Sequence, residues 1–188
     1  MAVKIVRVLN TNAVVSSDQE GRELIITGAG IGFKKKKGEN LDEALADKTY
    51  YLESVDDSRR LQEVVKEISE EYLEIVSRIV KTAREEGLKV RDSLYVTLTD
   101  HINSAVDRYR ENIALKNMMK LEIRKFYPKE YEIGLRAVQW IQEQNDENLG
   151  EDEAAFIAMH IVSAELGSES NVDVNKITKL INAVLQIV

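Results

Sequence analysis

Along the chain, apolar residues first fall in short runs broken by polar turns, then recur at spacings of three and four. Val3–Leu9 and Ala13–Ser17 are rich in β-branched residues and are separated by Asn10-Thr11-Asn12, residue types that favour turns. Asp18-Gln19-Glu20-Gly21 predicts a second turn, with Gly21 free to supply positive φ, and Arg22–Thr27 a third strand. Gly28-Ala29-Gly30-Ile31-Gly32 is too rich in glycine for a strand interior and predicts a bulge or a close backbone approach. Lys48–Leu52 predicts a short fourth strand. Four short strands bury too little surface to be secure alone, so dimerisation through the sheet is expected.

From about Ser58 the period becomes helical. Leu61, Val64, Val65, Ile68, Tyr72, Ile75, Val76, Ile79 and Val80 predict one long helix that stops at Gly87. A second helix is expected from near Asp92 to Tyr109 and a third from Ile113 to Tyr127. Pro128, the only proline, breaks the chain before a fourth helix carrying Ile133, Val138 and Ile141, and a fifth runs from Glu151 to Leu166. Gly167-Ser168-Glu169-Ser170 reads as a linker, and Val172–Val188 as an amphipathic segment opening a further unit. The expected architecture is therefore α+β and multidomain. A small four-stranded antiparallel β domain occupies residues 1–56 and an all-α five-helix bundle residues 57–170. Residues 171–188 are a linker or the start of a missing domain.

Composition narrows the class. A chain of 188 residues with 44% hydrophobic and 31% charged side chains matches an ordinary soluble protein. It has no apolar run of about 18 residues, so no membrane insertion is expected, and its N-terminus lacks the apolar core of a signal peptide. With no cysteine, disulfides, zinc fingers and thiol catalysis are excluded, and a cytoplasmic location is expected. The net charge of −7 argues against nucleic acid as a partner until its distribution is considered. Residues 1–38 hold seven basic side chains (Lys4, Arg7, Arg22 and Lys34 to Lys37) against three acidic ones (Asp18, Glu20 and Glu23). That segment is positive and the remainder strongly negative, an asymmetry that suggests different partners for the two parts.

The chain has two histidines, in matching contexts: His101-Ile102-Asn103-Ser104-Ala105 and His160-Ile161-Val162-Ser163-Ala164. His101 follows Leu98 by three and Leu94 by seven, and His160 follows Ile157 by three, so each lies on or beside an apolar stripe. Two satisfied core histidines fit that placement. So does a pair of phosphoryl acceptors, because neutral imidazole is a nucleophile without special activation. Phosphorylation would add roughly 1.5 to 2 negative charges at a helix contact. Metal binding fits poorly, since the histidines are far apart in sequence with no HExxH spacing, and no metal or cofactor is expected. No Walker loop, dinucleotide fingerprint, carboxylate pair or nucleophile–base set is present, so no enzymatic activity is expected.

Two motif sets then carry a resemblance. Val8-Leu9-Asn10-Thr11-Asn12-Ala13, with Gly28-Ala29-Gly30-Ile31-Gly32-Phe33 and the lysine run, resembles the RNA-binding co-antiterminator domain of the BglG/SacY transcription antiterminators. Thr97-Leu98-Thr99-Asp100-His101-Ile102 and Glu151-Asp152-Glu153-Ala154-Ala155-Phe156-Ile157-Ala158-Met159-His160-Ile161 resemble the first phosphotransferase-system regulation domain of the same proteins. The resemblance covers essentially the whole chain, in the right order.

The resemblance implies a homodimer that binds an antiterminator hairpin in an mRNA leader and so prevents an overlapping terminator of a sugar-utilisation operon. It implies control by a sugar permease and a phosphocarrier protein through phosphorylation of His101 and His160. The positions that line up with RNA contacts are Arg7, Asn10, Asn12, Gly28, Ala29, Gly30 and Phe33. Exposed bases are read by stacking on aromatics and by hydrogen bonds to their edges, which suits Phe33 and the two asparagines. Where some relatives carry Gly-Arg-Gly, this chain has Gly-Ala-Gly, so an arginine contact at Ala29 is absent. The plainer alternatives are a sheet core position for Phe33, ordinary turn residues at Asn10 and Asn12, backbone needs alone at Gly28 and Gly30, and a solvated face at Lys34 to Lys37. The resemblance implies a second regulation domain, phosphorylated for activation, in full-length relatives, and residues 171–188 are expected to be a linker or its start. A phosphorylation-sensing interaction or phosphocarrier module without RNA binding is the competing reading.

Overall fold

The structure is a computed structural model that describes residues 3–18, 20–52 and 54–166. The expected linker at 167–170 and the segment 171–188 lie outside the described residues. The chain divides into two compact units, one ending at Leu73 and the other beginning at Glu74.

In the first unit, β1 (Ile5–Asn10), β2 (Ala13–Ser17), β3 (Glu23–Thr27) and β4 (Lys48–Tyr51) form an antiparallel sheet in sequence order. The register pairs Val8 with Val14, Val14 with Ile26 and Ile26 with Thr49. Register shifts in β1 lie between Ile5 and Arg7 and between Val8 and Asn10. Ile5, Val14, Ile26, Ile31 and Leu41 form the core on one face. A short 3-10 turn at Glu43–Leu45 leads into β4.

The opposite face is covered by α1 (Val55–Glu67), which packs on β1 and β3. Ser54 caps it, its Oγ accepting from the Asp57 amide at 3.2 Å, and Asp56 and Asp57 suit the positive end of the helix dipole. Leu61 and Val65 are fully buried. The sheet thus gains its second layer from its own chain. The expected boundary at 56 falls in the first turn of α1, and the division at 73 lies beyond its end.

Among the described residues six α-helices occur where the periodicity predicted five. The expected long helix to Gly87 is two, α1 and α2 (Glu70–Glu85). Ile68 is extended (φ −99°, ψ 145°), and Ser69 lies outside both helices. The apolar spacing runs through the break, so periodicity alone did not reveal it. α3 (Ser93–Arg110) follows the expectation. The helix expected from Ile113 shrinks to α4 (Lys120–Phe126). Asn112 takes a left-handed φ of 59°, and the buried Asn117 accepts from the Met119 amide through Oδ1 (2.9 Å) while its own amide donates to Asp152 (3.1 Å). These local bonds compete with the helix.

α5 (Pro128–Asn145) starts on proline, where the missing N–H costs no helical bond, and Asp146 ends it in the left-handed region. α6 (Gly150–Leu166) is the central helix, packed on by α3, α4 and α5. A Cβ at Gly134 of α5 would sit 2.1 Å from the Ala154 carbonyl oxygen, and Ala154, Ala155 and Ala158 are fully buried. Small residues let these two backbones approach, which fixes the height of Glu153 and His160 on α6.

Candidate RNA interface and histidine pair

In the first unit the β1–β2 turn and the glycine-rich loop are bonded into one rim. The Gly28 amide donates to the Asn12 carbonyl (2.9 Å) and the Gly32 amide to the Thr11 carbonyl (2.8 Å). Asn12 Oδ1 accepts from the Gly30 amide (2.9 Å). A Cβ at Gly32 would lie 2.2 Å from the Asn10 carbonyl oxygen, so glycine is required for this close approach. Beyond it the chain turns outward and leaves Phe33 59% exposed, with Lys34 Nζ 5.2 Å from the ring centroid. Phe33 is therefore not a core residue. Its ring is an open apolar platform beside cations, a surface on which a base can stack. Ala29 and Gly30 lie on the same rim, and Lys34, Lys36 and Lys37 are exposed.

The other candidates are placed differently. Gly28 is buried, with the Leu45 carbonyl oxygen only 1.7 Å from where a Cβ would be. Asn10 uses both ends of its amide internally: Nδ2 donates to the Val65 carbonyl (2.7 Å) and Oδ1 accepts from the Asn12 amide (2.8 Å). Arg7 Nη1 donates to Gln62 Oε1 (2.8 Å) and pairs loosely with Glu23 at 3.7 Å. Gln62, fully buried, also donates to Glu23 Oε2 (2.7 Å) and Ser58 Oγ (3.3 Å). Sequence reasoning did not single out Gln62 or Glu23: the docking of α1 brings the first to Arg7, and the pairing of the sheet the second.

In the second unit α3 and α6 bring the two histidines together, although 59 positions separate them in the sequence. Their ring centroids lie 4.7 Å apart at 44°, and Phe156 lies 5.9 Å from His101. His101 Nε2 is 3.0 Å from Glu153 Oε2, and Arg108 Nη2 donates to Glu153 Oε1 at 3.0 Å. Glu153 is buried, which favours its neutral form, but the bonds and charges of His101 and Arg108 outweigh this and hold its carboxyl below the usual range. His160 is pushed down to about 4, first by burial and then by the neighbouring His101, with Asp100 and Glu153 opposing. Its ring is neutral at pH 7, the nucleophilic form.

Sequence reasoning missed Glu153 and Arg108 as partners of the pair. The signal was present: Glu153 precedes His160 by seven, and Arg108 follows His101 by seven, so each shares a helical face with a histidine. Among the described residues, no group of acidic and histidine side chains could hold a metal ion.

Two family models match the chain, one after the other. A model of the CAT RNA-binding domain matches residues 3–59, and a model of the PRD domain matches residues 62–164. The chain belongs to the CAT–PRD antiterminator family. It is 37% identical over 187 residues to the transcription antiterminator LicT of Bacillus subtilis, covering 99% of this chain and 67% of that protein. It is equally similar, 37% over 187 residues, to a beta-glucoside operon antiterminator of Dickeya chrysanthemi, covering 66% of that protein. The chain thus spans about two thirds of the length of these relatives. The fold matches the crystal structure of GlcT CAT-PRDI with a TM-score of 0.72 at 27% identity, covering 88% of this chain and 99% of that one. No helix among the described residues of this CAT–PRD chain is long and apolar enough to cross a membrane.

Proposed function

We propose that this chain is an RNA-binding transcription antiterminator that, as a homodimer, stabilises a hairpin in an mRNA leader and so depopulates an overlapping terminator. RNA contact falls to residues 1–56, through Asn12, Ala29, Gly30 and Phe33 on the rim, with Arg7, Asn10 and Gly28 behind it. Regulation falls to residues 57–170. A phosphocarrier protein and a sugar permease, both of the phosphotransferase system, set the phosphorylation of His101 and His160. The protein works in the cytoplasm and makes or breaks no bond of its own in the RNA.

The observation that carries this reading is the exposed Phe33 ring on a rim held by Asn12, in a segment that matches the CAT RNA-binding domain. Stabilising one of two RNA structures that share nucleotides shifts the population without catalysis. The test is binding of the full chain to a labelled hairpin with internal loops, beside the N12A/F33A double variant. Specific binding at moderate salt, abolished in the variant, is expected. Binding that is absent, or is salt-sensitive and unchanged in the variant, would leave a phosphorylation-sensing interaction module as the better account.

A further inference from the structure

The two imidazoles differ in their partners. The His160 ring makes no hydrogen bond among the described residues, whereas His101 Nε2 faces Glu153, whose other oxygen is held by Arg108. We propose that Glu153 is a positioning residue that fixes His101 in the tautomer protonated at Nε2, making Nδ1 the atom that accepts a phosphoryl group. The inference rests on reading His101 as a phosphorylation site.

A carboxylate bound to a guanidinium is ionised and can only accept, so the hydrogen at the 3.0 Å contact belongs to Nε2. A neutral imidazole has one N–H and one lone pair, and the lone pair is then on Nδ1. Among the described residues Nδ1 has no partner, and it is not one of the buried polar atoms left without one, so it meets solvent. His160 at 4.7 Å and Phe156 at 5.9 Å pack against the ring and oppose the rotation about Cβ–Cγ that would carry Nε2 away from Glu153.

The transfer balances without another reagent. Nδ1 attacks the phosphorus of an N-phosphorylated imidazole on a partner protein; the donor P–N bond breaks and its electron pair stays on the donor ring. His101 then carries the phosphoryl group on Nδ1 and its original proton on Nε2. The positive charge that develops on the ring faces the Glu153 carboxylate, where it is most stabilised. Arg108 keeps that carboxylate in place.

The test uses the full chain labelled with 15N, in which only four imidazole nitrogens need assignment. Long-range 1H–15N spectra at neutral pH are expected to show His101 protonated at Nε2. After reaction with potassium phosphoramidate, 31P–15N coupling is expected to place phosphorus on Nδ1 of His101. In E153Q, Arg108 draws the amide oxygen and turns the NH2 toward Nε2. The tautomer should then shift toward Nδ1–H and phosphorylation at Nδ1 should slow roughly tenfold or more.

A wild-type ring protonated at Nδ1, or phosphorus on Nε2 of His101, overturns the proposal. Unchanged tautomer and rate in folded E153Q also overturn it. If E153Q does not fold, the wild-type tautomer and isomer decide alone. If His101 takes no phosphoryl group while its tautomer is as expected, the phosphorylation reading fails instead, and the acceptor assignment with it.

Discussion

Gly28 has no room for a side chain, because a Cβ there would sit 1.7 Å from the backbone oxygen of Leu45. Gly30 has open space around it but a φ of +73°. Gly28→Ala is therefore expected to displace the 3-10 turn and cost at least about 3 kcal/mol, in the range of severe overpacking. Gly30→Ala should cost only about 1–2 kcal/mol, the strain of a left-handed alanine. Urea unfolding of the two variants checks this, and equal destabilisation would contradict the separate roles. His160 predicts a pH effect. Its folded-state pKa is lowered from 6.5 to about 4, so its neutral form stabilises the fold fully above pH 6.5. That stability is lost as pH falls through the window down to about 4, because the unfolded chain binds the proton first. Between pH 6.5 and 5 the loss is expected to be roughly 1–2 kcal/mol. His160→Gln should flatten the profile in that window when unfolding is followed at each pH; a slope as steep as wild type would show that another group is responsible.

The elements themselves were largely legible. β-branched runs bounded by turn residues located the first three strands, because turn chemistry and strand propensity are local. Helix breaks were less legible where local bonding competes with a continuing apolar stripe, as at Ile68-Ser69 and around Asn117. The candidate rim was legible in the same measure. Asn12, Gly30 and Phe33 could be named from the motif, but the engagement of Arg7 and Asn10 by α1 could not, since Gln62 and Val65 lie 55 positions away. That docking gives a prediction at the level of the element. Gln62 is buried and bonded to Arg7, Glu23 and Ser58, so Gln62→Ala leaves several groups short of a partner. A loss of about 1–3 kcal/mol is expected. Faster hydrogen exchange in α1 should accompany it, and unchanged protection there would mean that α1 is held by Leu61 and Val65 alone.

Across the whole molecule, net positive charge is confined to one segment and does not follow the division into two units. The positive segment 1–38 carries the rim and the exposed lysines, while the rest of the chain carries the excess acid. An acidic partner such as RNA is attracted to the first and repelled by the second, so the overall −7 does not oppose binding if the RNA meets only the rim. This separates two kinds of interaction that a single affinity would merge. Lys36 and Lys37 are exposed and have no ring or carboxylate partner among the described residues, so their contribution should be to phosphates and independent of sequence. Replacing both with Ser is expected to lower the slope of log affinity against log salt by about 0.7–0.9 for each phosphate no longer neutralised. It should weaken binding to the specific hairpin and to a scrambled one equally. Phe33→Ala is expected to do the reverse, leaving the salt slope intact and collapsing the ratio between the two hairpins, because stacking on that ring requires bases splayed out of the helix. Titrations of both RNAs across a salt series distinguish the cases. If the lysine variant changed the ratio, or Phe33→Ala changed only the slope, the division of labour between rim and lysine run would be wrong.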